Sequence, residues 1–325
     1  MKRFDTLLFG NGLTIALFNK FKQVTDVEQF NDFFIHFLNS NLLNKQAFHR
    51  ILLSNKNSDI YLEPNEIIAV EEFLISNLTD IINNGFEVWI GEKCFNPTLL
   101  IKNSALYYFA LFNYWYNLNE NIFKSTTIQA TIKDCVERFK KIGIKEFYTL
   151  NYDSFLESHI NVCHTHGKFL SDFNDLQQLS SYRYLNEITN KIEFVYPFCI
   201  GTNGLEKLNY LTQLNSKKIS NYEYDFLFSN EKNYGNLLIF GIRFADTLLI
   251  PDEIKNKYTD DILKLIKYVD VHIMLRLDTM YHSKQIKTIT ICYYNESDLN
   301  RYKKIFASSD CVSIIEYVKC SEIYG

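Results

Sequence analysis

Three short segments hold the side chains that can do chemistry. Near the amino terminus, Asp5-Thr-Leu-Leu-Phe-Gly10-Asn11-Gly12-Leu13-Thr14-Ile15 reads as a buried strand running into a Gly-x-Gly turn. In mid-chain, Thr149-Leu150-Asn151-Tyr152-Asp153 is followed, ten residues later, by His164-Thr165-His166-Gly167. Two glycines let a backbone turn tightly and approach a diphosphate, and a helix opening there offers N–H groups and a partial positive charge. Thr14 adds a hydroxyl. An asparagine at a strand end presents a donor and an acceptor together, and a histidine exchanges protons near neutral pH. A phosphate cradle with an acid–base centre beside it is the outline of a nucleotide site at which a bond is broken.

Each segment also has a plainer reading. Gly10-Asn11-Gly12 is an ordinary strand-to-helix turn if no ligand meets it. The third glycine of a hydride-transfer fingerprint is replaced by Ile15, and no acidic residue stands at the usual distance on a second strand, so that chemistry is a poor match. Asp153 either faces a ligand or caps the helix expected from Ser154. His164 and His166 face the same side of a strand and could ligate a metal. No carboxylate or cysteine nearby in sequence completes a set, so no metal is expected. Two further turns are candidates, with a plain loop as the alternative for each. Gly201-Thr202-Asn203-Gly204 precedes Lys207, and Phe240-Gly241-Ile242-Arg243-Phe244-Ala245-Asp246 closes a strongly apolar run.

The elements that must position these residues follow from apolar spacing. Strands are expected at 5–10, 147–150, 160–164, 237–240, 269–274, 288–293 and 312–317, with an extended stretch at 193–200. Helices are expected at 12–21, over parts of 27–53, at 64–84, 97–117 and 124–142, briefly at 154–159, and at 205–214, 259–268 and 298–307. Short apolar strands alternating with helices predict an α/β fold, a doubly wound, mostly parallel sheet covered on both faces. Residues 26–143 are almost wholly helical and separate the first strand from the next. They read as a helical insertion within one domain spanning 1–325.

Bulk composition sets outer bounds. The chain has 325 residues, 47% of them hydrophobic, enough for a sizeable core. A net charge of −4 gives no sign of phosphate-backbone binding, so no specific nucleic-acid partner is expected. The seven cysteines are scattered, without a C-x-x-C pair. That speaks against a zinc ribbon and for a reducing, cytoplasmic setting. No apolar run is long enough for a membrane helix.

Taken together, the motifs resemble the core of the sirtuin (Sir2-like) superfamily, and its prokaryotic anti-phage defence branch more than its protein deacetylases. Gly10-Asn11-Gly12-Leu13-Thr14 is similar to the Gly-Ala-Gly-x-Ser opening, with Asn11 for Ala and Thr14 for Ser. Thr149-Leu150-Asn151-Tyr152-Asp153 matches the Thr-x-Asn-x-Asp motif at every fixed position, and His166-Gly167 matches the His-Gly that follows it. The resemblance covers residues 5–21 and roughly 145–295, and the four-cysteine zinc module of the deacetylases is missing. It implies NAD+ as substrate, with its diphosphate near Gly10, Asn11, Gly12, Leu13 and Thr14. Gly167, Gly201, Thr202, Gly241 and Asp246 would complete the cofactor contacts. It implies that Asn151 orients the nicotinamide ribose or the attacking water, that His166 is the general base, and that His164 supports it, with Asp153 beside them. The implied activity is NAD+ glycohydrolysis by an abortive-infection effector, held off until a partner or assembly releases it. A homo-oligomer and a helicase-like ATPase partner are expected on the same ground. An NAD+-dependent deacylase and a non-catalytic NAD+ or ADP-ribose sensor are the alternatives.

Overall fold

Short apolar runs become the strands of one six-stranded parallel sheet in the computed structural model. The structure describes residues 3–40, 43–54, 61–93, 98–151, 153–164, 182–186, 191–195, 232–244, 252–256 and 271–324. The sheet comprises β1 (Thr6–Phe9), β2 (Glu146–Thr149), β3 (Val162–His164), β6 (Gly235–Phe240), β7 (Ile286–Tyr293) and β8 (Ile315–Lys319). Strands β4 (Tyr182–Asn186) and β5 (Lys191–Val195) form a separate antiparallel pair. The strand order is β3-β2-β1-β6-β7-β8, and every neighbouring pair is parallel. From β1 the chain builds outward first on one side and then on the other. The crevice between β1 and β6 is therefore a topological switch point, where open α/β sheets bind ligands outside the carboxyl ends of their strands.

Continuous hydrophobicity in the central strands follows from burial on both faces. Leu7 and Phe9 of β1, Phe147 of β2, and Leu238 and Phe240 of β6 belong to one core. Leu8, Tyr148, Leu237, Ile239, Ile289 and Ile291 belong to a second core on the opposite face. The first face is covered by α1 (Asn11–Phe21) and by α9 (Thr126–Lys141). The second is covered by the helices Val271–His282 and Glu296–Phe306.

The helical block runs through α2 (Phe30–Asn39), α3 (Leu43–Ser54), α4 (Pro64–Ser76), α5 (Leu78–Asn84), α6 (Phe86–Lys93), α7 (Leu99–Leu118) and α8 (Glu120–Phe123) to α9. Local chemistry sets several of these boundaries. Pro64 opens α4, and Glu63 and Glu66 close a reciprocal capping box. In α9, Ile128, Ile132, Cys135, Val136 and Phe139 recur at three- and four-residue spacing and are buried. The block packs into the same hydrophobic cluster as β1 and α1. Phe18 of α1 meets Trp115 of α7, Phe123 of α8 and Phe155 beyond β2, with ring centroids 5.5–6.0 Å apart.

Some expectations from the sequence need revision. The run at 269–274, expected as a strand, leads instead into the helix Val271–His282. Ile273, Leu277 and Met280 are its buried face, and an apolar run this short fits either period until its continuation is considered. The helix expected over 64–84 divides at Asn77. The last strand is Ile315–Lys319 and follows a 3-10 turn at Asp310–Ile314. Strand β4 and helix α6 were not expected. The helices expected at 205–214 and 259–268 lie outside the described residues. No helix among the described residues is long and apolar enough to cross a membrane.

Candidate functional site

The strands β2, β1 and β6 end in register. Phe9 pairs with Thr149 on one side and with Phe240 on the other. The three turns that follow, Gly10–Thr14, Leu150–Asp153 and Gly241–Phe244, therefore meet at one carboxyl edge. At the first turn the glycines answer a packing demand. A Cβ on Gly12 would stand 2.6 Å from the Gly241 Cα, and one on Gly10 would stand 2.9 Å from the Gly241 carbonyl oxygen. Gly241 itself holds φ +67°, which favours glycine. The Gly12 N–H donates to the Gly241 carbonyl at 2.8 Å, and the Gly10 N–H donates to the Phe240 carbonyl at 3.0 Å. The two turns are thus welded backbone to backbone across the switch point. Beside them, buried Phe244 holds φ +32°, a strained value for a bulky residue.

A hydrogen-bond chain joins the first turn to the second. The Thr14 hydroxyl donates to Asp153 Oδ2 at 2.9 Å, and Asn151 Nδ2 donates to Thr14 Oγ1 at 2.8 Å. The directions follow from bonding capacity. An ionised carboxylate only accepts, so the threonine proton points to Asp153, and the atom facing its oxygen must be a donor. Asn151 and Asp153 are buried. Burial pushes the Asp153 carboxyl above its usual range, opposed by the Thr14 hydroxyl and by the charge of His164. The capping role open to Asp153 is only weakly filled, by a 3.4 Å bond from the Phe155 N–H. Thr149 locks the turn, donating to the Phe9 carbonyl and accepting from the Asn151 N–H.

His164 supports this turn from β3. Its Nδ1 lies 2.9 Å from the Asn151 carbonyl oxygen and its Nε2 lies 3.1 Å from Glu157 Oε1. A carbonyl only accepts, so Nδ1 carries a proton and donates. The helical block reaches the same place. The Tyr116 hydroxyl of α7 lies 3.0 Å from Ser154 Oγ, the next residue to Asp153. Burial raises the Tyr116 hydroxyl to about 12, against the opposing Ser154 bond, so it remains a neutral hydrogen-bonding group. From the other side, the Tyr294 hydroxyl, just beyond β7, donates to the Gly12 carbonyl at 2.9 Å.

Of the residues singled out from the sequence, Gly10, Asn11, Gly12, Leu13, Thr14, Asn151, Asp153, His164 and Gly241 come together at this edge. Leu13 is fully buried, whereas Asn11 is exposed on the turn. His166, Gly167, Gly201, Thr202, Lys207 and Asp246 lie outside the described residues. No group of three or more His, Cys, Asp or Glu side chains able to hold a metal occurs among the described residues. Sequence reasoning missed Tyr116, Glu157 and Tyr294. Each is an unremarkable residue in its own local pattern; Tyr116 and Tyr294 join the site through contacts 38 and 282 positions away, and Glu157 through His164, seven positions on. No family model matches the chain, and neither a curated protein nor a solved structure matches it.

Proposed function

We propose that this chain is a Sir2-like NAD+ glycohydrolase whose site is the carboxyl edge between β1, β2 and β6. The observation that carries the reading is the Asn151–Thr14–Asp153 chain, in which residues 137 and 139 positions apart are hydrogen-bonded in series at the switch point. A purely structural turn has no need of a buried carboxylate held through a hydroxyl to a carboxamide. No hydrogen bond to the Asn151 carboxamide oxygen occurs among the described residues, where Nδ2 is held by Thr14, and in this reading that oxygen accepts from a ribose hydroxyl or a water. The diphosphate would lie against the exposed side of the Gly10–Thr14 turn, at the positive end of α1.

Cleavage of the nicotinamide–ribose bond builds positive charge on the ribose, as in other glycoside cleavage. The bonding pair leaves with the pyridinium nitrogen, so nicotinamide departs neutral and needs no general acid. A water oxygen bonds to the ribose carbon, and its proton passes to His166 and then to solvent. The products are nicotinamide, ADP-ribose and a proton. In this reading Asn151 orients the ribose or the water, Asp153 fixes Asn151 through Thr14, and His164 holds the Asn151 backbone. A cell that carries such an activity must hold it off, so the reading includes activation by assembly or by a partner, in the manner of an abortive-infection effector.

The test is nicotinamide release from NAD+ by the activated protein, alone and with its partner, with and without an acylated peptide. Release without peptide is expected once the protein is activated. Asn151→Ala and His166→Ala should each fold normally and lose roughly two orders of magnitude or more in turnover. Release only with peptide would favour a deacylase, and binding without turnover even with the partner present would favour a sensor. If both variants cleave NAD+ like the wild type, the assignment fails.

A further inference from the structure

Helix α7 carries buried polar atoms that its own packing does not use. Asn113 is fully buried, and neither its Nδ2 nor its Oδ1 has a hydrogen-bond partner among the described residues. One turn on, the buried Oδ1 of Asn117 is also without a partner among them. Buried polar groups are nearly always paired, so a side-chain amide open at both ends calls for a reason. A leucine has almost the same size and would leave no group unpaired.

The rest of the helix shows which way this amide faces. Asn103 Nδ2 donates to Glu66 of α4 at 3.2 Å, Phe112 meets Phe30 of α2, and Trp115 meets Phe18 of α1. Tyr116 turns to the candidate site, its hydroxyl 3.0 Å from Ser154 Oγ, beside Asp153. Asn113 precedes Tyr116 by three residues and Asn117 by four, and side chains at those intervals are neighbours on a helix surface. Asn113, Tyr116 and Asn117 therefore form one polar patch on the side of α7 that meets the turn after β2. A carboxamide offers an N–H donor and a carbonyl acceptor side by side. Two primary amides pair through two N–H···O bonds, each donating to the oxygen of the other. A ligand amide thus satisfies both open atoms of Asn113 at once.

We propose that Asn113 receives the carboxamide of the nicotinamide ring, so that the helical block, and not only the sheet edge, selects the leaving group. The proposal rests on the NAD+ reading for the identity of the ring. In that reading Asn151 meets the nicotinamide ribose, and the base extends from there toward α7. The probes are free nicotinamide and its methyl ketone analogue, which keeps the ring and the carbonyl but has a methyl group in place of the amide nitrogen. Each is titrated into the full chain and followed by ligand-observed NMR. The wild type should bind nicotinamide with a Kd on the order of millimolar, as a small fragment does. It should bind the ketone about tenfold more weakly, because the Asn113 oxygen is then left without a donor. Asn113→Leu should weaken nicotinamide about tenfold and erase the preference between the probes. It should melt no lower than the wild type, since it removes two unpaired buried atoms. Asn113→Ala, which is smaller, repeats the binding test without the bulk of leucine. No binding of nicotinamide, equal binding of the two probes by the wild type, or wild-type affinity and preference in both variants would overturn the proposal. Nicotinamide release from NAD+ by the activated protein is scored separately. Release by a wild type whose probe preference survives both substitutions removes Asn113 and leaves the glycohydrolase standing. Asn113-dependent binding of nicotinamide with no release even beside the partner removes the glycohydrolase and leaves the carboxamide site.

Discussion

Asp153 is buried where a carboxylate is expensive, and its neighbours lower that cost unequally. Burial raises its folded pKa above the ordinary 3.8, while the Thr14 hydroxyl pulls it back. A raised folded pKa means that the stabilising contribution is fully present below the unfolded value and is lost as pH rises through the folded value. Thr14→Val removes the donor and should raise the Asp153 pKa further. The variant should carry a pH-independent deficit from the Asn151 amide it also leaves unpaired, and a further deficit that grows as pH rises, about 1–3 kcal/mol at neutral pH, the usual size for a buried acceptor left unsatisfied. Thr14→Ser restores the hydroxyl and should recover most of it. Thermal melts across pH decide the matter, and a Thr14→Val deficit with no part that grows with pH would mean the hydroxyl does not serve Asp153.

At the scale of elements, the critical joint is the one between the α1 turn and the end of β6. The resemblance implies a diphosphate beside Gly12; apart from any ligand, a side chain there would stand against the Gly241 backbone, 2.6 Å from its Cα. Backbone atoms cannot swing aside as a side-chain tip can, so the helix itself must shift. Gly12→Ala is expected to destabilise the protein by about 1–3 kcal/mol even without nucleotide, the range for overpacking. Asn11→Ala, one residue away and exposed, should leave melting unchanged. A Gly12→Ala protein that melts like the wild type would show that α1 is not seated on Gly241. The Gly-x-Gly motif was legible as a turn from its residue types. What each glycine must avoid was not, because Gly241 is 229 positions further along the chain.

Over the whole molecule, the helical block and the sheet share one core. Phe18, Phe21, Trp115, Phe123, Phe147 and Phe155 fall in the same cluster of buried side chains, and the Tyr116–Ser154 bond carries the block to the site. Both tryptophans, Trp89 and Trp115, are in the block, so their fluorescence reports on it, whereas far-ultraviolet dichroism reports on all regular structure. The two signals should melt in a single coincident transition, as for one cooperative unit. A tryptophan transition well separated from the dichroism transition would mean that the block folds by itself.

The sequence by itself determined the α/β class, the glycine turn after β1, the Asn-x-Asp turn after β2 and most of the helical block. These are local properties: two-residue and three-to-four-residue periods, and turn residues at strand ends, are written in consecutive positions. The tertiary structure alone decided that β1 has β2 on one edge and the far more distant β6 on the other. It also decided that Val271–His282 is a helix, because burial of Leu277 and Met280 outweighs the strand-like start of that run. Only the folded chain puts Thr14 between Asn151 and Asp153, and Tyr116 and Tyr294 beside them. Such pairings rest on contacts between residues more than a hundred positions apart, at Thr14 and Gly12, or across separate elements, at Tyr116. No local preference encodes them, since their free energy appears only when the sheet closes and water leaves its carboxyl edge.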